Sequence, residues 1–329
     1  MFDTTALIRA ALLGLALLTV SPFAAVAQDK KVPRVGIILI GGPGPSYDAL
    51  RQGFARLGYE EGKSIILEPR FARGQLDKAR EFASELVALN VDVIVGPGLV
   101  GIGNAKDFTK TIPIVFSAAP DPVALGYVAS LERPGHNITG ITSFDGTQAK
   151  QQIEILRSIV PRLTRVAVIS DVDIPRVDSK NPIEESMSAA AKEAGVELSW
   201  IHLKGPTPDF TAVSTELVQK RAGALIVLEV PVPLLHLKQI ADLAAGERLP
   251  SIFPAGWPNN GLISYGTSIL FATARIPVYV DRILKGAKPA DMPIEVMSKR
   301  ELVINRKTAR ELGLTIPDEL LKRADRVLE

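Results

Sequence analysis

The chain of 329 residues carries no cysteine, three histidines and a formal net charge of +2, with both signs interspersed. That balance offers no basic stripe for nucleic acid. The scattered His136, His202 and His236, without cysteine, make no zinc or iron ligand set. No disulfide is available, so packed cores must hold the fold, and about 300 residues beyond a leader suit two domains rather than one small core.

The first segment, "MFDTTALIRAALLGLALLTVSPFAAVAQDK", has the three parts of a secretory leader: Arg9, an apolar run from Ala10 to Val20, and the small-x-small site Ala25-Val26-Ala27. The run is well short of the ~20 residues a membrane-spanning helix needs. The expected signal peptide is residues 1–27, cut near Ala27. Without a cysteine at the cut there is nothing to lipidate, so the expected product is free in the periplasm of a two-membrane cell.

Next comes "RVGIILIG" (Arg34 to Gly41), a predicted buried strand, and then the helical "YDALRQGFARLGY". "SIILEPRF" (Ser64 to Phe71) is the second strand. A helix from Asp77 follows, with Ala79, Phe82, Ala83, Leu86 and Val87 on one face. "VDVIV" and "IPIVFS" (Ile112 to Ser117) complete four strand–helix units. Continuous apolar strands alternating with helices predict a parallel sheet covered on both faces.

The plan then restarts. "RVAVISD" (Arg165 to Asp171) echoes the first strand, "LSWIHL" the second, and "ALIVLEVP" (Ala224 to Pro231) echoes "VDVIVGPG". Two α/β halves of similar size predict two similar doubly wound domains facing each other, with "ITSFDGTQ" (Ile141 to Gln148) as the first hinge candidate. Ligands of open parallel sheets sit beyond the strands' carboxyl ends, and a cleft between two such ends is a preferred small-molecule site.

The strings "DVIVGPG", "TIPIVFSAAPDPVALGYVASLERPGHNITGITS", "GLISYG", "VDRILKGAKPADMPIE" and "ELVINRKTARELGLTIPDELLKRAD" resemble the ABC-transporter substrate-binding protein family typified by tryptophan- and phenylalanine-binding lipoproteins. The likeness runs from about Val32 to the C-terminus. It implies a type I periplasmic-binding fold: two α/β lobes, joined by three crossovers, that close on a small ligand and deliver it to a permease in the inner membrane. On that plan lobe 1 is 32–145 plus 266–290 and lobe 2 is 146–265 plus 291–329. The chain would cross at Phe144 to Gln148, near Tyr265 to Thr267 and again near Pro289 to Ile294. The helix "ILFATARIPVYVDRILKG" would pack on the first lobe and the tail on the second. Family members often carry a small hydroxyl residue where this chain has Pro97-Gly98-Leu99, and they tend to be more charged at "ARIPV".

The candidate site residues lie in the loops after the strands. Gly96, Gly98 and Gly101 fit G-x-G-x-x-G, a spacing shared by dinucleotide turns, by turns that bring backbone close to another ligand, and by plain tight turns. Pro97 removes one N–H that a phosphate would use. "GGPGPSYD" lacks the G-K-[ST] ending of a P-loop; Gly44 approaches the cleft there, and Ser46 either caps a helix beginning at Tyr47 or bonds a ligand. After the fourth strand come Ser117 and Asp121. Asp121 precedes Pro122 and reads as a helix N-cap or as the partner of a ligand ammonium or hydroxyl. Asp171, Asp173 and Asp178 lack the glycine and glutamate of an EF-hand loop, and Asp171, at the strand end, is retained as a candidate. Glu229 stands where the first half has Gly96 and is expected at the cleft. Phe253, Trp257 and Tyr265 are candidate pocket walls in a chain only 5% aromatic.

No nucleophile–base–orienter set and no G-x-S-x-G elbow appears. The leading expectation is therefore a monomeric solute receptor, not an enzyme, with no cofactor and no metal, binding an amino acid or related small carboxylate. The alternatives are an exported α/β enzyme using a nucleotide cofactor and a ligand sensor working through a partner protein.

Overall fold

The computed structural model describes residues 31–119, 121–143, 146–172, 174, 176, 180–256 and 261–329, apart from the side chains of residues 99 and 100. The expected leader, and with it the cut near Ala27, lies outside the described residues. Val32–Glu329 forms one compact unit.

The first half runs β1 (Arg34–Leu39), α1 (Pro45–Arg56), β2 (Ile66–Phe71), α2 (Leu76–Ala88), β3 (Val93–Pro97), α3 (Leu99–Phe108), β4 (Ile114–Ala119) and β5 (Ile138–Thr142). The second runs α4 (Gln148–Ile159), β6 (Arg165–Asp171), α5 (Pro182–Ala194), β7 (Glu197–Leu203), α6 (Phe210–Gln219), β8 (Ala224–Val227), α7 (Pro231–Leu235), α8 (Leu237–Gly246), β9 (Ser251–Phe253) and β10 (Ile263–Gly266). The chain continues with α9 (Ile269–Leu284), β11 (Glu295–Val296), β12 (Glu301–Asn305), α10 (Arg306–Leu312), α11 (Asp318–Arg323) and β13 (Arg326–Leu328).

The strands form a six-stranded sheet, ordered β11-β5-β4-β3-β1-β2, and a seven-stranded sheet, ordered β13-β12-β10-β9-β8-β6-β7. All pairs are parallel except β10 with β12. The reason is visible in the strand sequences, which alternate between two cores. In the first sheet Ile38, Ile94 and Phe116 pack under α2 and α3, while Ile37, Val95 and Val115 pack under α1 and α9. In the second, Val166, Val168 and Ile226 meet α4 and α5, while Ala167, Ile169 and Leu225 meet α6 and α8. Both faces of these central strands are buried, so they show no polar alternation. Each fully buried Val, Leu or Ile contributes roughly 1.5–3 kcal/mol of transfer free energy.

Helix ends follow local chemistry. Asn181 accepts the Ile183 and Glu184 N–H groups, with Pro182 as the first residue of α5, and Gly195 ends that helix at φ +67°. Asp209 caps α6 in the same way.

The chain passes between the sheets three times: after β5, after β10 and after β11. The first lies between Thr142 and Gln148 and the second between Gly266 and Ile269, with Phe144 outside the described residues. The third runs through 297–300, not Pro289 to Ile294, because Glu295 and Val296 pair with Ile141 and Thr142 as an edge strand of the first sheet. Residues 291–296 therefore stay with the first lobe, and the expected boundary at 291 moves toward the C-terminus. The α9 helix packs on α1, β3 and β4, and the tail joins the second sheet, as the resemblance implied. The "ARIPV" segment serves that packing, since Pro277 lies against Gly53 of α1. A Cβ at Gly53 would come within 2.6 Å of Pro277 Cγ and 3.1 Å of the Ala274 carbonyl. Gly53→Val is accordingly expected to lower stability by about 1–3 kcal/mol through overpacking, read as a lower urea midpoint at unchanged slope.

Candidate functional site

The strand tips and the first turns of several helices enclose a cleft with two chambers. The larger, about 390 Å³, is walled on one side by Leu39 to Ser46, Pro97, Gly98, Ala118 and Ile269. Glu229, Pro231, Leu234 and Leu235 wall the other side. Both sheets thus contribute, and the volume lies in the range of small-molecule pockets. The smaller chamber, about 60 Å³, lies against the first turns of α4 and α5. Its polar side chains are Ser143, Gln148, Gln152, Ser186 and Glu229, with Ile183 and Met187 as an apolar wall. Ala118 and Glu229 line both chambers and stand at the waist between them. At the outer rim the lobes touch. A Cβ on Gly74, in the loop after β2, would lie 2.9 Å from Leu235 Cδ1, at the end of α7.

Ala118 has φ +53°, beside a register shift where β4 leaves β5. Non-glycine residues held in the left-handed region cost of order 1–3 kcal/mol and concentrate at ligand sites. Gly98, at φ +79°, opens α3 and brings backbone to the larger chamber.

Among the described residues, Glu229 is the one ionisable side chain lining either chamber. Its Oε1 is buried with no hydrogen-bond partner, and burial pushes its carboxyl up to about 8. Glu184, on the outer side of α5, makes the contrast. Burial pushes it up too, but hydrogen bonds from Arg176 (2.7 Å), Ser170 (2.9 Å) and His202 (3.0 Å) outweigh burial and hold it below its ordinary value. Glu229 has burial without compensation.

The structure brings Gly44, Ser46, Pro97, Gly98 and Glu229 together at the larger chamber. Ser46 is not a cap: α1 begins at Pro45 with Gly44 before it, which leaves Ser46 inside the first turn. Gly96 faces helix rather than cleft. A Cβ on it would lie 2.8 Å from the Gly101 backbone, so the pair lets α3 sit directly on β3. Leu99 opens α3, and its side chain is outside the described residues, as are Trp257, Asp173 and Asp178.

Five further candidates are turned away from the chambers. Ser117 is fully buried and shares a 3.2 Å hydrogen bond with Thr273 of α9. Asp121 accepts the Ala124 N–H at 2.9 Å, capping a turn rather than the expected helix. Asp171, fully buried, accepts the Val232 N–H at 2.9 Å, which satisfies the start of α7. Phe253 is fully buried in the core beneath α6 and α8. Tyr265 donates its hydroxyl to Gln151 beside the hinge and walls neither chamber.

Reading only the strand ends missed Gln148, Gln152, Ile183, Ser186, Leu234, Leu235 and Ile269. All but Ile269 and Leu235 lie within the first turns of helices on the second lobe; Ile269 begins α9 and Leu235 ends α7. A signal was present in "GTQAKQQ", three glutamines directly after the first passage, of which Gln148 and Gln152 line the chamber.

The family described as ABC transporter substrate binding protein matches the chain over residues 37–328. The tyrosine-binding protein of Clostridioides difficile (strain R20291) is 23% identical over 307 residues, covering 87% of this chain and 83% of that protein. The solved ABC domain in complex with L-Trp from Streptococcus pneumonia is 24% identical, with a TM-score of 0.79, covering 90% of this chain and 99% of that one. A conserved domain protein from Vibrio cholerae O1 biovar El Tor is 26% identical at a TM-score of 0.80, covering 90% and 100%.

Two outcomes follow from the geometry. Gly96→Ala is expected to lower stability by about 1–3 kcal/mol, because the new methyl meets backbone that cannot yield; chemical denaturation reads it. Glu229 gains pKa on folding, from 4.5 to about 8, so the folded state holds its proton more tightly. Its contribution is complete below pH 4.5 and is lost as pH rises through about 8. The unliganded protein should therefore lose stability from pH 5 to 8 at up to about 1.4 kcal/mol per unit. Glu229→Gln should flatten that slope in melting curves taken across the range.

Proposed function

The chain belongs to the ABC transporter substrate-binding protein family, and from that premise we propose that it is the periplasmic receptor of an ABC importer. In this reading the two lobes close on one small ligand, an amino acid or related small carboxylate, and present it to an inner-membrane permease. The family is one of substrate-binding proteins rather than enzymes. The observation that carries the proposal is the larger chamber, about 390 Å³, walled from both lobes and continuous at Glu229 with a small polar chamber. An apolar body fits the first and a polar head the second.

The relatives support the ligand class, one being a tyrosine-binding protein and another solved with L-Trp. The receptor is proposed to be a monomer, released by cleavage near Ala27 and carrying no lipid. Closure needs no chemistry. A ligand that touches Pro97 and Gly98 on one lobe and Glu229 and Leu234 on the other makes both sets of contacts only when the lobes are together, so it stabilises that form. Micromolar affinity corresponds to about −8 kcal/mol. Burying an apolar side chain at roughly 25 cal/mol per Å², with a few charge-assisted hydrogen bonds, supplies free energy of that order.

Thermal-shift screening of residues 28–329 against amino acids and small organic acids tests the reading. A binder at 100 times its Kd should stabilise by about 2.7 kcal/mol, a rise of a few degrees, and small-angle scattering should show compaction. No shift with any compound of either class would end it.

A further inference from the structure

Among the carboxylates of the described residues, Glu229 is set apart by its surroundings. Asp171 holds a backbone N–H, Glu184 holds three side-chain donors, and Asp121 caps its own turn. Each has a structural use. Glu229 lies at the waist of the cleft, shared by both chambers, with Oε1 buried and unpartnered.

Among the described residues, the elements packed around Glu229 bring no countercharge to it. On α4, Gln148, Ala149 and Gln152 face the chamber, while Lys150 pairs outward with Glu193. On α5, Ile183, Ser186 and Met187 face it; Glu184 is engaged by Ser170, Arg176 and His202, and Glu185 pairs with Lys180. Asp171 lies behind α7 on the Val232 N–H, and His236 at the end of α7 meets the Pro206 carbonyl. Among the described residues of the first lobe, Ala118 alone lines both chambers, and Arg275 of α9 pairs with Glu295. A half-buried carboxyl whose buried Oε1 has no partner favours the neutral acid, consistent with its elevated pKa.

Resting on the reading of this cleft as the ligand site, we infer that Glu229 selects ligands carrying a protonated amine, and that each ligand bound displaces the carboxyl proton of the empty receptor. The exchange balances: neutral Glu229 and an ammonium ligand give a carboxylate–ammonium pair, and one proton passes to solvent. The apolar chamber then takes the ligand's side chain, so the favoured class is an amine-bearing molecule with an apolar body. Acids of the same shape without the amine face a carboxyl that must stay protonated to admit them.

The sign of the pH dependence follows. Below about 8 the empty receptor must release a proton to bind an amine. Affinity for an amine ligand therefore rises with pH, by about tenfold per unit at most, and flattens above pH 8. Affinity for an acid that requires the neutral carboxyl is nearly flat below about 8 and falls above it.

The test uses residues 28–329 with paired probes: L-phenylalanine, L-tyrosine, L-tryptophan and L-leucine, each beside its des-amino acid. Titration calorimetry at pH 6 in two buffers of different ionisation heat should give close to one proton released per amino acid bound. Affinity should rise between pH 6 and 8. Glu229→Gln, a near-isosteric change, should weaken the amino acid by roughly 10–100-fold, the loss of a charge-assisted pair, and abolish both the proton release and the pH slope. A merely structural role would leave the slope in place. Equal or tighter binding of the des-amino acids, a proton count of zero, or a Glu229→Gln variant that keeps the slope would overturn the inference and leave the receptor reading standing. Failure of both probe series to bind would overturn the two together.

Discussion

The three passages between the sheets are held side by side, and everything at the cleft depends on that arrangement. Met297, in the third passage, donates its N–H to the Thr142 carbonyl of the first at 2.8 Å; its own carbonyl accepts a weaker bond of 3.5 Å from the Thr267 hydroxyl of the second. Gln151, on the first helix after the hinge, accepts from both the Tyr265 hydroxyl and the Arg300 guanidinium, the latter at 2.8 Å. The Met297 bonds satisfy backbone that would otherwise leave a sheet unpaired. They also confine any change of angle between the lobes to a few residues, because the four cores on either side belong to one sheet or the other.

The carboxylates show how one residue type serves two ends. A buried charge is costly unless partners replace the water it loses. Asp171 finds a helix N–H and Glu184 finds three donors, and both stabilise the second lobe. Glu229 leaves its Oε1 without a partner, and burial favours its neutral form. An unpartnered acid is a poor device for holding a fold together and a good one for discriminating what enters a cleft, because the missing partner is the selection. The small strain at Ala118, directly across the waist, belongs to the same region. Proteins commonly keep such locally unfavourable features at binding sites and offset them in the surrounding core.

Much of the architecture was readable along the chain. Runs such as "RVGIIL" and "ALIV" are buried on both faces, and a strand with no polar side belongs inside a parallel sheet. The restart at Arg165 exposed the duplication, and the helix "ILFATARIPVYVDRIL" went to the first lobe as its resemblance implied. The site was less legible. Glu229, Ser46, Pro97 and Gly98 do border the cleft, but Ser117, Asp121, Asp171, Phe253 and Tyr265 sit at strand ends just as well and turn elsewhere.

What the sequence determined by itself was therefore the set of elements, their parallel pairing and the near-repeat that places two sets of strand tips in one molecule. Hydrophobic periodicity is local, and it records which faces are buried without recording what they are buried against. Only the tertiary structure decided which polar groups meet the cleft. Whether a carboxylate is capped, paired or left alone depends on segments far away in the chain: the Val232 N–H for Asp171, and for Glu229 the neutral walls brought by Gln152, Met187 and Ala118. No local pattern encodes that meeting, because its energy belongs to the pair and not to either segment.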